Sequence, residues 1–386
     1  MAFNHTGRHS TGEMRRRMRT LIYTRIQSGV RDTNSDLLAK GSGGHQRKRR
    51  QMLFWPCLDD PSKVPMMSYN PFFIVAFVLC WTIIAFGGPS VAGPVHLGIM
   101  GDSNSDEYRT DDNNRGGTYA STTLNWGEQL QRYRGIDIGP WGKWSGTRRS
   151  GYEYNWALSG ATAEDVVKTG QAAGLAQQVA AGRINTVVLY VGANNFAIWN
   201  DTYANIYNGV LTGQALQDYI NRIVSSIATA IDTVRSTEAV NMIVTNLQDR
   251  GQSPGFISHF PDPAKRQAVT KAIVAVNVGI DIVVGARRHV ALVDLYNYLD
   301  APKYKSRINL ARGTVTVGSE QISFATPDDE PHHAMLSDDE HSGAVVQCLV
   351  ANYIFIDPLN SKFGQRIRPF TDQECLTNAG IGVRGR

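Results

Sequence analysis

The sequence contains few cysteines, few charged residues and no internal repeat. It has four cysteines in 386 residues, and none belongs to a CxxC or Cys/His pattern, so a cysteine-based zinc site is excluded. Two of them, Cys348 and Cys375, lie in the body of the chain, where a disulfide and two free thiols are equally open. Charged residues make up 19% and hydrophobic residues 42%. The chain can therefore bury one large core or two modest ones.

Excess positive charge is missing from most of the chain. Residues 1–70 carry 13 Lys and Arg against 5 Asp and Glu, whereas residues 93–386 carry 26 against 29. The larger part is slightly acidic, so we expect no nucleic-acid partner. Residues 1–70 are predicted to be a basic, disordered leader. Its positive charge is typical of the inner flank of a membrane segment.

Only one long apolar run is present, and it is short. Residues 72–86 carry no charge and are followed by Gly87-Gly88-Pro89. A membrane span needs about 20 apolar residues, but a signal-peptide core needs only about 7 to 15. Small residues at 90–92 then offer a cleavage site before Gly93. The run predicts export, as a secreted or periplasmic protein, with residues 71–92 as the signal-peptide core and residues 93–386 as the folded domain.

The position of this run leaves alternatives open, because signal peptides normally begin near residue 1. Either translation begins near Met66 or Met67, or residues 71–89 are an uncleaved anchor with the catalytic domain outside the membrane. In the second case the basic residues 47–50 would orient the anchor, and this would be the only membrane contact. A buried core helix is a third interpretation.

From residue 93 onward, short branched-apolar runs alternate with longer helical patterns. This alternation predicts an α/β fold, a three-layer α/β/α sandwich with a central, mainly parallel sheet. Strands are predicted over 95–100, 186–191, 240–245 and 290–295. One helix is predicted from about 215 to 234, and another begins at Asp262-Pro263, an N-cap and a first-turn proline. A hairpin over 314–322 and a final apolar helix over 344–355 complete the pattern.

Three polar loops are candidates for an active site. Gly101-Asp102-Ser103 follows the first strand, and Gly192-Ala193-Asn194-Asn195 follows the second. Strand ends in a parallel sheet share one edge, so the Asn194 amide is expected near the Ser103 hydroxyl. Between them, Gly160 can supply a backbone N–H. Ser103 is therefore a candidate nucleophile, with donors for an oxyanion beside it.

A serine nucleophile needs a base, and the sequence has only nine histidines. Two of them have an aspartate three residues earlier, in Asp338-Asp-Glu-His341 and Asp329-Glu-Pro-His332. This spacing places carboxylate and imidazole on one side of a helical turn. His341 is favoured because an apolar helix follows it directly, whereas a proline interrupts the other pair.

The four blocks together resemble the SGNH (GDSL) hydrolase family. They are Gly101-Asp-Ser103, Asn155-x-Ala-x-x-Gly160-Ala-Thr, Gly192-x-Asn194-Asn195 and Asp338-x-x-His341, in that family's order. The resemblance implies a flavodoxin-like SGNH hydrolase fold and a Ser103, His341 and Asp338 triad. It further implies an oxyanion hole made by the backbone N–H groups of Ser103 and Gly160 and by the Asn194 amide. The implied activity is that of a serine esterase or lipase, with no metal or other cofactor.

Two departures from the family accompany this resemblance. The third block usually ends in aspartate and here ends in Asn195, which puts any supporting salt bridge at that position in doubt. About 50 residues separate Asp106 from Asn155, and this insertion, rich in Gly, Arg and Trp, could cover the site.

Aromatic residues give the only indication of a substrate. They flank the second and third blocks and are mostly expected in the core, whereas Trp141 and Trp144, set among glycines, are expected to be more exposed. A short-acyl ester, or an acetylated saccharide, is the predicted substrate class.

Two rival functions remain at this point. A metal-dependent hydrolase would use the cluster of acidic and histidine side chains between residues 328 and 341, namely Asp328, Asp329, His332, His333, Asp338 and His341. A non-catalytic exported binding protein would keep the fold without the activity.

Overall fold

The computed structural model describes residues 93–110, 113–144, 150–236, 240–298, 302–309, 313–324, 333–336 and 341–382. The predicted leader (1–70) and the predicted signal-peptide core or anchor (71–92) lie outside the described residues. The same is true of Asp338 and of the alternative base His332.

A four-stranded parallel sheet forms the centre of the domain. All four predicted strands are confirmed to within two residues at each end. In their order across the sheet they are β1 (Leu97–Gly101), β4 (Thr186–Tyr190), β5 (Asn241–Thr245) and β6 (Val290–Val293). The segment 154–158 extends the sheet beyond β1, since Trp156 N donates to Ile99 O (2.8 Å) and Leu158 N to Gly101 O (3.1 Å).

One face of the sheet is covered by helices whose apolar stripes meet side chains such as Met100, Leu189 and Val244. The elements that pack there are α2 (Ala163–Lys168), α3 (Gln171–Ala180), α4 (Thr202–Tyr207), α5 (Gly213–Val234), α6 (Pro254–His259) and α7 (Pro263–Gly285). Both long predicted helices are confirmed. Asp262 caps α7 as expected, accepting from Ala264 N at 2.8 Å. The two long helices lie on the same face, which the sequence left open.

The other face buries Leu97, Ile99, Val188 and Ile243. This follows from strand geometry, because successive side chains point to opposite faces. The helices on this side are α1 (Trp126–Arg134), α9 (Ala344–Ala351), a π-helical turn (Asn352–Ile356), α10 (Asp357–Phe363) and α11 (Asp372–Asn378). With helices on both faces, the predicted three-layer sandwich is confirmed.

Smaller elements complete the domain. The insertion after β1 contains α1 and the hairpin β2 (Trp141–Lys143) and β3 (Ser150–Tyr152). A second small sheet joins β7 (Ile308–Asn309), β8 (Thr314–Val317) and β9 (Glu320–Ser323), so the predicted hairpin is confirmed. The short helix α8 (Pro302–Lys305) lies between β6 and β7.

The C-terminal region differs from the prediction. The apolar run at 344–355 is not the final helix, because α10 and α11 follow it. A disulfide joins Cys348 of α9 to Cys375 of α11. Both cysteines are fully buried, and the bond ties the last helix to the core.

Among the described residues, one helix, α7, is long and apolar enough to cross a membrane. Just over half of its most apolar stretch is buried inside the domain (56%), and it packs against α5. Such burial is typical of a core helix.

Candidate active site

Ser103 lies in a tight turn that begins where β1 ends. The turn is closed by Ser105 N and Asp106 N, which both donate to Asp102 O, at 2.9 and 3.0 Å. Asp102 is fully buried, and its Oδ1 accepts from the backbone and the side chain of Asn104 (2.9 and 2.8 Å). Ser103 itself is only half-buried. Ser103 is therefore partly accessible to solvent, while the neighbouring Asp102 that holds the turn is buried.

Gly101 allows this turn to lie directly beside β4. It pairs with Tyr190 across the two strands, and a Cβ at position 101 would stand 2.0 Å from the Tyr190 carbonyl oxygen. No side chain fits at that distance. The glycine of the first block is thus required by the close approach of the strands.

The loop that carries Gly160 is hydrogen-bonded to the Ser103 turn. Asn155 Nδ2 donates to Ser105 O at 2.8 Å. Ser159 donates to Asp106 Oδ2 through both N and Oγ, each at 2.8 Å. Gly160 follows in a left-handed conformation (φ 80°) and is exposed, so its position beside the turn is fixed by its neighbours.

Asn194 connects the loop after β4 to the same place. It lies in a single 3₁₀ turn (Ala193–Phe196), is 6% exposed, and donates from Nδ2 to Ala161 O at 3.0 Å. A carboxamide carries two N–H groups, so this bond uses one of them. The structure therefore brings the loops of Ser103, Gly160 and Asn194 together at the carboxyl edge of the sheet.

Asn195 has a separate, supporting role. Its Oδ1 accepts from Ala163 N at 2.9 Å, and its Nδ2 donates to Glu164 Oε2 at 2.7 Å. These bonds hold the first turn of α2 against the Asn194 loop. An aspartate at this position would place a second carboxylate against Glu164. The asparagine that departs from the family pattern instead donates a hydrogen bond to that carboxylate.

His341 lies three residues before α9 and is 8% exposed. Its ring meets the ring of Tyr108 edge-on, with the centroids 6.2 Å apart. Tyr108 also donates from its hydroxyl to Ser342 O (3.0 Å) and accepts from Gln347 Nε2 (2.7 Å). Because Tyr108 is five residues after Ser103, these contacts hold the His341 turn against the loop that follows the Ser103 turn.

Electrostatics also relate His341 to the Ser103 turn. Burial raises the pKa of the Asp102 carboxyl, while its bonds from Asn104 and the positive charges of Arg250 and His341 act in the opposite direction. No sequence pattern indicated Tyr108 or Arg250, because both contacts join segments that are far apart in the chain.

The predicted carboxylate partner, Asp338, lies outside the described residues, as do three further members of the proposed metal cluster, Asp328, Asp329 and His332. Within the described part of the chain, no group of three His, Cys, Asp or Glu side chains is placed to hold a metal ion.

The aromatic residues differ in their exposure. Trp126 is fully buried and Trp141 is 42% exposed, as expected. Trp144 is half-buried, and its Nε1 donates to Gly151 O at 3.0 Å. Trp199, which follows the third block, is the most exposed of these at 59%, whereas most of these aromatic residues were expected in the core.

Comparisons with known proteins agree with the motifs. The model of the GDSL-like lipase/acylhydrolase family matches residues 97–347. Similar solved structures include a family 3 carbohydrate esterase of Clostridium thermocellum (18% identity, 70% of this chain, 98% of that one, TM-score 0.33). An extracellular lipase of Streptomyces rimosus is 14% identical (69% and 99% covered, TM-score 0.36). An acetyl xylan esterase of Geobacillus stearothermophilus is 13% identical (72% and 99% covered, TM-score 0.35).

No curated protein matches the sequence. The family match nevertheless spans more than half of the chain, from β1 into α9. The chain therefore belongs to the GDSL-like lipase/acylhydrolase family, and it is an ester-bond hydrolase built on a three-layer α/β/α sandwich.

Proposed function

We propose that the protein hydrolyses carboxylic esters through an acyl-enzyme, with Ser103 as nucleophile, His341 as base and Asp338 as the group that orients His341. The main support is the hydrogen-bonded convergence of the loops that carry Ser103, Gly160 and Asn194. A second support is the contact between the rings of His341 and Tyr108, because Tyr108 lies in the loop that follows the Ser103 turn.

In this mechanism His341 takes the proton of Ser103 Oγ as that oxygen attacks the ester carbonyl carbon. The negative oxygen of the tetrahedral intermediate accepts from the N–H groups of Ser103 and Gly160 and from the Asn194 amide. His341 then gives the proton to the leaving alcohol, and the acyl group remains on Ser103. A water molecule, deprotonated by His341, releases the carboxylic acid and restores the serine.

The proposed substrate has a short acyl group, such as the acetyl ester of a saccharide. The support for this class is the presence of exposed aromatic side chains near the second and third blocks, Trp141 (42% exposed) and Trp199 (59% exposed), because aromatic faces can pack against sugar rings.

Hydrolysis of p-nitrophenyl acetate by purified variants tests the mechanism. We expect Ser103→Ala to lose activity, and Asn194→Ala to lose about 100- to 1,000-fold in kcat while remaining folded, because one oxyanion donor is missing. Unchanged kcat in Asn194→Ala would remove that residue from the site. Activity abolished by a chelator would favour the metal-dependent alternative, and a folded protein with no activity towards esters would favour the binding protein.

We also propose that the domain is exported. Its cysteine pair supports this, because disulfides persist in oxidising compartments and are rare in the cytosol. Amino-terminal sequencing of the mature protein tests the proposal. A start at Gly93 is the expected result for a cleaved signal peptide, whereas an intact leader would favour an anchor over residues 71–89.

A further inference from the structure

Trp199 is exposed, although the three residues before it are not. Phe196 and Ala197 before it are buried, and Ile198 packs against the core. The indole, by contrast, is 59% exposed. Tryptophan is a large apolar residue that is normally highly buried. Folding of this loop therefore gives no reason for the indole to face solvent.

The loop that carries Trp199 is held in one conformation and is attached to Asn194. Asn200 Nδ2 donates to Asn194 O at 2.6 Å, and Asn200 Oδ1 accepts from Thr202 N at 3.1 Å. Asp201 adopts a left-handed conformation (φ 59°) that is uncommon for a residue other than glycine. Such backbone conformations persist where the surroundings enforce them, and they concentrate at functional sites.

Chain length limits the distance between Trp199 and Asn194. Trp199 is five positions after Asn194, so the two Cα atoms are at most about 18 Å apart, and the turns between them shorten that path. A substrate whose carbonyl group contacts Asn194 could therefore extend to the indole. The part that reaches so far is the alcohol, since the acyl group proposed here is short.

The chemistry beside the indole is polar. Asp201 is exposed, and its carboxylate caps no backbone N–H of α4. A carboxylate accepts hydrogen bonds from hydroxyl groups, while an aromatic face packs against the C–H face of a sugar ring. A long alkyl chain would gain nothing from a carboxylate at this place.

We propose that Trp199 is a specificity-determining residue on which a saccharide, the alcohol part of the ester, lies. This inference rests on the proposed esterase function. Trp199 would raise affinity for an acylated saccharide, with Asp201 accepting from its hydroxyl groups, and it would leave the bond-breaking steps to the residues around Ser103.

Quenching of tryptophan fluorescence by acrylamide tests saccharide binding without catalysis. Xylohexaose, cellohexaose and chitohexaose are added in turn to the full-length protein. We expect at least one of them to protect part of the fluorescence from acrylamide. This protection should disappear in Trp199→Phe and remain in Trp141→Phe, a matched control because Trp141 is also exposed (42%) but lies on the hairpin β2–β3. Protection that survives in Trp199→Phe, or that none of the three saccharides gives, would overturn the proposal.

Kinetics on acetylated xylan provide the second readout. For Trp199→Ala we expect KM to rise roughly 3- to 10-fold with kcat little changed, which corresponds to the loss of one aromatic contact. A fall in kcat at constant KM would contradict a binding role. If saccharides protect Trp199 but Ser103→Ala retains full esterase activity, the saccharide site stands and the proposed mechanism fails.

Discussion

Two flanks of the candidate site are built from opposite chemistry. The polar flank, next to Ser103, consists of Asp106, Glu107, Arg109 and Glu128, in which buried carboxylates hold backbone N–H groups and a guanidinium. The aromatic flank, next to Asn194, consists of Tyr203, Tyr207, Phe256 and Phe260, whose rings lie 4.6 to 5.0 Å apart in three pairs.

The two flanks hold their loops in place by different interactions, hydrogen bonds to buried carboxylates on one side and ring packing on the other. Directional hydrogen bonds to Glu128 orient Tyr108 N (3.2 Å) and Asn125 N (3.0 Å), but they require burial of a charge. Ring packing needs no charge and depends on shape alone. Stability contributed by the polar flank should therefore vary with pH, and stability contributed by the aromatic flank should not.

The largest effect is expected on the aromatic flank. Phe256→Ala removes a ring that is 4% exposed and should lower the free energy of unfolding by about 3–5 kcal/mol. Urea denaturation should give the same loss at pH 5 and pH 8. The neighbouring Ile257→Ala, on the same helix but 40% exposed, should change stability by no more than about 0.5 kcal/mol. A loss in Phe256→Ala that depends strongly on pH would contradict the claim that ring packing on the aromatic flank is independent of pH.

On the polar flank, Arg109→Met should leave the Glu128 carboxylate buried without its cation. Arg109 Nε donates to Glu128 Oε1 at 2.6 Å, and Glu128 is 1% exposed. We expect a loss of about 1–3 kcal/mol at pH 7, less than for a fully buried pair because Arg109 is partly exposed. The loss should shrink at acidic pH as Glu128 takes up a proton. A constant loss from pH 4 to pH 8 would show that only packing was removed.

Glu107 gives the sharpest pH test, because its pKa is shifted upward. Burial, followed by the charge of Asp106, raises the pKa of Glu107 well above its usual value. The folded protein therefore binds this proton more tightly than the unfolded chain, and stability falls as pH rises from about 4.5 through the folded pKa.

Glu107→Gln should remove that fall while keeping an acceptor for Tyr152 N, which now donates to Glu107 Oε1 at 2.7 Å. The expected result is a higher Tm than the wild type at pH 8 and an equal Tm near pH 4. A variant that is less stable than the wild type at pH 8 would contradict the claim that ionised Glu107 lowers stability.

The smallest effect is expected between the flanks, at Asn195. Asn195→Asp restores the residue that the family usually has, but it removes the donor to Glu164 and adds a like charge. A decrease of about 1 kcal/mol at pH 7 is expected, because the new carboxylate at this buried position (1% exposed) lies beside the partly exposed Glu164. Recovery at pH 4, followed by thermal melts, would identify repulsion as the cause. A more stable variant at pH 7 would be the opposite result.

The sheet and its covering helices were predictable because they are periodic. Branched-apolar runs located β1, β4, β5 and β6, and three- and four-residue spacings located α5. The convergence of the loops that carry Ser103, Gly160 and Asn194 followed from the parallel sheet, whose strand ends share an edge.

Other features have no periodic signal. The contact between Tyr108 and His341 joins residues more than 200 positions apart, so no local pattern indicates it. The exposure of Trp199 was not predicted, because the sequence of a loop does not indicate whether a single aromatic side chain faces the core or solvent. The pairing of Cys348 with Cys375 and the helices after residue 356 were likewise not predicted, because they depend on tertiary packing.

The most direct measurement is labelling of the intact protein with a fluorophosphonate, followed by mass spectrometry of its peptides. We expect one covalent adduct, on Ser103, with labelling abolished in His341→Ala although the serine is present. An adduct on another serine, or none on a folded protein, would contradict it.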